Sequence, residues 1–455
     1  MDVPATRRLD HAPSIGVLTA VAAAFLVLAS PVHAQTASIT GNMSALVDHL
    51  PNVPAGAVTE LRLRATADAQ IDAKPWLRFR LAGVADGLAG ERGGRARAAS
   101  ADTLEAYAEV SGAGAELRAG MSRIVWGRLD EVQPTDVINP IDVSRYLLDG
   151  RSEARIAVPL IRARLFPAPA AVFELIITPF FRHGRFDRLD DDTSPFNLIA
   201  DTSPADLPPP YCWSAAGQPC PERWTIIRAE REGRRLQGGA RASFTTARVD
   251  WSVSGWSGHL PFGLVAAAPY DQQGTLILAH PRYTMFGGDF ETVAGKWAIR
   301  GEAAYFPDRP TQADFPLGIF NADAVEAGAG VDRRAGDFTL SVTALLRVAH
   351  RQYRTPQFPG PRESYRIEEE RLTNLSFVGG FSRSFNRDRV ETRVFSLVNP
   401  EDRAGFVRGV LAWKPIDDVA VETSLGWFIG EGDDVITRFG DRDFGYVRLK
   451  YYFGR

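Results

Sequence analysis

Three stretches of this chain set reactive side chains close together, and each implies a different chemistry. In "GWSGHL", Gly255 to Leu260, Ser257 stands two residues from His259, the pair a serine hydrolase uses. A nucleophile elbow reads G-x-S-x-G, with glycine letting the strand turn sharply behind the serine. His259 occupies that second glycine position, and the alternation through Trp251 and Val253 makes this a strand end, so no enzyme is expected. The acidic runs "DRLDDDTS" (187–194) and "RIEEER" (366–371) offer oxygen ligands for Ca²⁺ or for divalent ions bridging lipopolysaccharide; the alternative is solvated loop charge. The third stretch, "RIVWGRLDEVQPTDVINPIDVSRYLLDGRSEARI" at 123–156, crowds Arg128, Asp130, Glu131, Asp136, Asp142, Arg145, Arg151 and Arg155 among prolines and apolar residues. Charges packed this way can pair with one another or select ions.

Other site chemistry is sparse. Cys212 and Cys220 lie eight apart in "PPPYCWSAAGQPCPERW". In an exported chain they read as one disulfide closing a short loop. A metal site would need more ligands, and His183 is the nearest histidine, so no metal is expected. There is no P-loop, dinucleotide fingerprint or HExxH, hence no cofactor. With a net charge of −3 and 24% charged residues, the chain has no field suited to nucleic acid.

The N-terminus indicates export. Arg7 and Arg8 precede an apolar run from Ile15 to Ala29, and Val32-His33-Ala34 forms an A-x-A-like cleavage site. Residues 1–34 therefore read as a signal peptide cleaved near Ala34. A spanning helix is the weaker reading, because it needs ~20 apolar residues and Pro31 ends the run early.

Beyond it the dominant pattern has period two. Residues 337–348, "DFTLSVTALLRV", place Phe338, Leu340, Val342, Ala344, Leu346 and Val348 together, with Thr339, Ser341, Thr343 and Arg347 opposite. The same alternation runs through 74–83, 103–110, 293–305 and the final "FGYVRLKYYF". These segments are long for a soluble sandwich, whose strands average ~5–6 residues. A transmembrane strand needs ~9–11 residues, apolar toward lipid and polar toward a lumen. The fold class expected is all-β, a transmembrane antiparallel β-barrel over 59–455. At roughly 24 to 28 residues per strand and connection, it has about 14–18 strands.

Aromatics near strand ends fit interfacial girdles: Trp76 and Phe79, Trp251 and Trp256, Trp297 and Tyr305, Trp413, Trp427 and Phe428, Tyr451 and Phe453. Residues 35–58 alternate poorly and are expected to form an N-terminal periplasmic segment, a short helix or a plug. Long polar connections at 84–100, 127–153, 183–232, 259–287, 307–324 and 350–372 are expected outside the cell, the disulfide loop among them.

Residues 117–166 carry a resemblance. Gly120, Trp126 and Gly127 end one amphipathic strand, Asn139, Pro140 and Asp142 form an N-P-x-D element, and Ala154 to Phe166 return. This segment resembles a poorly characterised family of outer-membrane β-barrel proteins related to alginate-export-type porins. Met121 and Ser122 depart from the usual polar pair after the glycine. The resemblance implies a location in the outer membrane, with lipid, lipopolysaccharide and the barrel-assembly machinery as partners.

Physically, Pro134 and Pro140 keep 127–153 from being a ladder strand or a regular helix. Its apolar content, from Leu129 to Leu148, is too high for disorder. The loop should therefore fold inward onto the barrel wall and narrow the pore. The eight charged residues named above are then pore-constriction candidates. Lumen-facing candidates on strands are Arg78, Arg80, Arg118, Lys296, Arg300, Arg347, Arg448 and Lys450. Cations predominate, and arginine binds carboxylate or phosphate bidentately, which favours small or anionic solutes. The function expected is a porin-like channel. The alternatives are a non-channel barrel serving a periplasmic export or lipid-transport system and, third, a soluble β-rich protein.

Overall fold

Strand Val419–Ile429 shows in one element how the chain folds. Leu425, Trp427 and Ile429 are exposed, while Glu422, Ser424 and Phe428, at the alternate positions of the strand, are buried. Apolar groups face out and charged groups face in, the reverse of a soluble sandwich. That inversion is stable only where the outer face meets hydrocarbon.

The computed structural model describes residues 36–53, 56–91, 95–189, 194–197, 225–227, 233–267, 275–312, 319–356, 365–430 and 436–454. The expected signal peptide at 1–34 and the expected disulfide Cys212–Cys220 lie outside these residues. In chain order the strands begin with β1 (Thr36–Leu50), β2 (Val58–Lys74), β3 (Leu77–Glu91), β4 (Arg95–Ser111) and β5 (Ala115–Ser122). Helices α1 (Val143–Asp149) and α2 (Arg151–Ala154) precede β6 (Val158–Ala168) and β7 (Ala171–Phe181). Then come β8 (Thr225–Ile227), β9 (Gly233–Thr245), β10 (Val249–His259), β11 (Leu264–Ala267), β12 (Thr275–Ala279), β13 (Arg282–Ala294) and β14 (Trp297–Gln312). The last are β15 (Ile319–Ala335), β16 (Phe338–Pro356), β17 (Tyr365–Phe385), β18 (Val390–Asn399), β19 (Ala404–Ile416), β20 (Val419–Ile429) and β21 (Phe444–Phe453).

Strands β8, β11 and β12 make a small separate sheet; the others form one 18-stranded sheet, each strand antiparallel to its neighbours in sequence. The sheet closes where β1 pairs with β21, from Gly41 opposite Phe453 to His49 opposite Gly445. Closure leaves no edge strand with unpaired backbone groups in the membrane. The closed sheet with its apolar outer face does the crossing; among the described residues no helix is long and apolar enough to cross a membrane.

The two ends differ. At one end, next to residues 36 and 454, strands join through short turns such as 295–296 and 336–337. Gly295 and Gly336, at φ +63° and +62°, take the left-handed position that such two-residue turns require. The other end carries the long connections. At the turn end an aromatic belt faces outward: Trp76, Trp251 stacked on Phe244 at 4.5 Å, Phe338 on Phe381 at 6.5 Å, Trp413 and Tyr451. Arg333 lies over the Trp297 ring at 4.9 Å. On β16 the outward apolar run from Phe338 to Val348 has about the ~9–11 residues that a tilted strand needs.

Four expectations are corrected. Residues 36–50 are neither helix nor plug but β1, the closing strand, with Ile39, Met43 and Val47 exposed. Gly41 and Ala45 fill the outward positions between them, and such small residues hide the alternation. The polar stretch 84–100 is mostly strand, with Val84, Asp86 and Leu88 continuing the buried face of β3. Likewise β14 to β17 run well into the stretches 307–324 and 350–372. Trp256 and Phe428 are buried inside rather than placed in a girdle.

Candidate functional site: an inward segment and the gap beside it

Between β5 and β6 the chain enters the barrel, and each half of this segment builds a core against a different wall. Ile124, Trp126 and Ile138 pack with Ile176 of β7, Trp256 of β10, Met285 of β13 and Phe306 of β14. Leu147 and Leu148 of α1 pack with Leu46 and Leu50 of β1, Phe406 of β19, Phe428 of β20 and Tyr446 of β21. In a ring of 18 strands these walls are nearly opposite, so the segment crosses the lumen.

The W-G and N-P-x-D residues explain how it holds its shape. Trp126 donates from Nε1 to Glu174 Oε1 at 2.7 Å and meets Trp256 edge-on, with centroids 6.0 Å apart. Gly127 has φ +89°, and a Cβ there would lie 2.5 Å from both carboxylate oxygens of Glu302. Asn139 clips the base: Oδ1 accepts from Ile124 N–H at 2.7 Å, while Nδ2 donates to the carbonyls of Ser122 at 3.2 Å and Ile156 at 2.8 Å. Asp142 caps α1, accepting from the Arg145 N–H at 3.0 Å and the Ser144 hydroxyl at 2.7 Å.

Among the eight constriction candidates, ion pairing divides the labour. Three reach the wall: Arg128 to Asp289 at 2.7 Å and Glu291 at 2.9 Å, Asp130 to Arg300 at 2.8 Å, and Arg145 to Asp86 at 2.7 Å. Arg151 and Arg155 both grip Asp136, at 3.1 and 2.7 Å, and brace the segment internally, as the Asp142 cap does. Glu131 faces open space. Burial pushes its carboxyl above the usual range, with Arg151 opposing. Burial acts the same way on Asp149 at the end of α1, but Arg448, Arg145 and Arg64 outweigh it and hold that carboxyl well below its ordinary value.

Seven of the eight lumen-facing strand candidates share the inner face. Arg78 pairs with Asp72 at 2.7 Å, Arg80 with Asp68 at 2.6 Å and Arg118 with Glu109 at 2.5 Å. Arg300 meets Asp332 at 2.9 Å, Arg347 lies 3.4 Å from Glu326, and Arg448 and Lys450 lie 3.4 and 3.7 Å from Glu422. Lys296 is the exception, an exposed residue in the turn between β13 and β14. Residues 293–305 are therefore two strands and a hairpin turn, whose two-residue length a period-two count passes over.

Sequence reasoning missed the seat. Glu302 of β14 accepts the N–H groups of Arg128 at 3.0 Å, Leu129 at 3.3 Å and Thr135 at 2.6 Å, and the Thr135 hydroxyl at 2.7 Å. Gly287 and Gly328 clear the wall beside it: a Cβ would lie 2.5 Å from Thr135 Cγ2 and 2.5 Å from Leu129 Cδ1 respectively. No local signal marks these glycines, since their partners are remote in sequence.

An open cavity of about 250 Å³ remains where the segment faces β16 to β19. Glu131, Tyr146 and Asp149 bound it on one side. The wall supplies Thr339, Ser341, Ser382, Arg393 and Arg408. The Arg393 side chain is 45% exposed and reaches Glu422 at 3.2 Å, whereas Arg408 is tied to the Leu148 carbonyl and the Tyr446 hydroxyl, both at 2.7 Å.

The other chemistries resolve separately. Ser257 Oγ accepts from Arg282 Nε at 3.0 Å, and His259 Nδ1 meets the His280 carbonyl at 2.8 Å. Asp187, from the first acidic run, pairs with Arg62 at 2.8 Å, and no group among the described residues could hold a metal ion. The side chains of 366–370 lie outside the described residues.

A closed 18-strand barrel with a lipid-facing belt, a charged lumen and an inward segment is a porin-type transmembrane architecture. The chain belongs to the family described as "Protein of unknown function (DUF1302)", whose model matches residues 61–453. Its fold is similar to Acinetobacter baumannii OccAB4, with TM-score 0.52 and 9% identity over 93% of this chain and 100% of that one. It is also similar to Pseudomonas aeruginosa OccK8 (OprE), with TM-score 0.51 and 8% identity over 92% and 98% of the two chains. No curated protein matches the sequence. No kinship with alginate-export proteins follows from these comparisons.

Proposed function

We propose that this protein is an outer-membrane channel for small hydrophilic solutes, and that its path narrows in the gap between the inward segment and β16 to β19. The observation that carries this reading is the asymmetry of the lumen. The segment is pinned to the walls on both sides, yet β16 and β17 present mainly Thr339, Ser341, Ser382 and Gly380 to the gap. Small hydroxylated residues leave room and offer hydrogen bonds to a passing hydrated solute. Glu131 and Asp149 on the segment face Arg393 and Arg408 on the wall, so charge of opposite sign lies across the opening. Asp149 and Arg408 are held by other partners; Arg393 also reaches Glu422 at 3.2 Å, but with 45% of its side chain exposed it is the wall cation most open to solute, which favours anions. The long connections would lie outside the cell and the short turns in the periplasm.

Single-channel recording of the refolded protein in planar bilayers tests this. Discrete conductance steps with anion preference are expected, and removal of 127–153 should raise the conductance severalfold. A folded barrel that conducts nothing would point instead to a non-channel role beside a periplasmic export system; unchanged conductance after the deletion would refute the constriction.

A further inference from the structure

The loop end of the lumen holds a concentration of charge of which only Asp149 borders the gap. Six guanidinium groups, from Arg64, Arg145, Arg182, Arg185, Arg188 and Arg448, gather around three carboxylates, Asp86, Asp102 and Asp149. Asp86 is satisfied by Arg64 at 2.6 Å and Arg145 at 2.7 Å, with Nη2 of Arg188 also 3.6 Å away, and Asp149 by Arg145 at 2.7 Å and Arg448 at 2.5 Å. Asp102 is left to three arginines: Arg182 at 3.2 Å, Arg185 at 3.9 Å and Arg188 at 3.9 Å. Only the first of these distances is a hydrogen bond; the other two give attraction without a bond. Nη1 of Arg188 is buried and has no hydrogen-bond partner, although its side chain is only 10% exposed.

Neighbouring acids do not meet that donor. Asp142 gives its oxygens to Ser144, to the Arg145 N–H and, at 3.1 Å, to the Arg188 N–H, while Asp187 binds Arg62 and Ser194. Solvent reaches the cluster, with Asp102 and Arg185 exposed by 18% and 24%.

We propose that Arg182, Arg185 and Arg188 form a binding site for a small oxyanion, a carboxylate or a phosphate, at the loop end of the lumen. The Asp102 carboxylate occupies part of that site. A ligand with two or more oxygens would supply Arg188 Nη1 with the acceptor that the Asp102 carboxylate, 3.9 Å away, does not, and guanidinium matches both carboxylate and phosphate geometry.

Calorimetric titration of the full-length protein in detergent, with succinate and with inorganic phosphate as probes in a constant chloride background, tests the site. Saturable binding of at least one probe is expected, and which probe binds identifies the class. Arg188→Gln and Arg182→Gln should each weaken binding at least about tenfold, or about 1.4 kcal/mol. Asp102→Asn should act in the opposite direction and tighten binding, because it removes the resident competitor; a purely structural brace would not respond so. Arg389→Gln, in the turn after β17, should leave binding unchanged. Thermal melts of each variant separate a lost site from a lost fold. No saturable binding, or a loss with Asp102→Asn matching that with Arg188→Gln, would overturn the proposal. Binding is read without a membrane current, so a barrel that binds but does not conduct refutes only the channel reading, and one that conducts but does not bind refutes only this site.

Discussion

The carboxylate of Glu302 receives both the backbone N–H and the hydroxyl of Thr135, at 2.6 and 2.7 Å, across a separation of 167 residues. With the Arg128 and Leu129 N–H groups added, one wall side chain gathers the first turn of the inward segment into a carboxylate-shaped nest. Each buried donor left without an acceptor costs ~1–3 kcal/mol, so this single residue decides whether that end of the segment stays docked.

Glu302→Ala should therefore release the segment at its first half while the barrel persists. Limited proteolysis should cut near 128–135 in the variant and not in the parent, and single-channel traces should become noisier with a higher mean conductance. Glu302→Gln keeps one carbonyl acceptor and should fall between the two. A variant with parental protease resistance and quiet traces would show that Arg128 and the apolar core dock the segment without Glu302.

Gly328 offers a steric test of the same docking. Gly328→Leu fills the space held by Leu129 and is expected to destabilise the docked state by about 1–3 kcal/mol, the usual cost of overpacking. Leu129→Ala in the same chain should restore much of it, because the larger side chain then occupies the space Leu129 vacates. Thermal melts of the two single variants and the double variant measure the coupling. Additive losses would mean that the two residues do not share the space.

How much of this could be read beforehand depends on the range of the interaction. Outward and inward faces in β16 and β21 follow from alternation alone, since each residue's environment is set by its own strand. Trp251 and Trp256 are five apart, an odd spacing, so parity alone sends them to opposite faces; grouping them as one girdle set that aside. β1 was illegible because its outward positions alternate large and small, with Gly41 between Ile39 and Met43. The inward course of the segment was legible, because its apolar residues need burial that a solvated loop lacks. Its partners were not: Arg128 and Glu302 lie 174 residues apart, and only barrel closure brings them together.

Glu131 makes the gap sensitive to pH in a definite direction. Burial lifts its carboxyl above the ordinary value of 4.5, with Arg151 opposing. A raised folded value means that docking is most favourable below the unfolded value, and that this stability is lost as pH rises through the raised one. As pH rises through that raised value Glu131 gains its charge beside Arg393 and Arg408. As pH falls through the raised value the opening loses one negative charge and keeps its arginines, so the anion-to-cation permeability ratio should rise. Glu131→Gln should show the low-pH ratio at neutral pH and remove this part of the pH dependence. Reversal potentials across a KCl gradient, recorded from neutral pH down to about 4.5, measure it; a variant whose ratio still follows the parental curve would assign the titration to another carboxylate in the lumen.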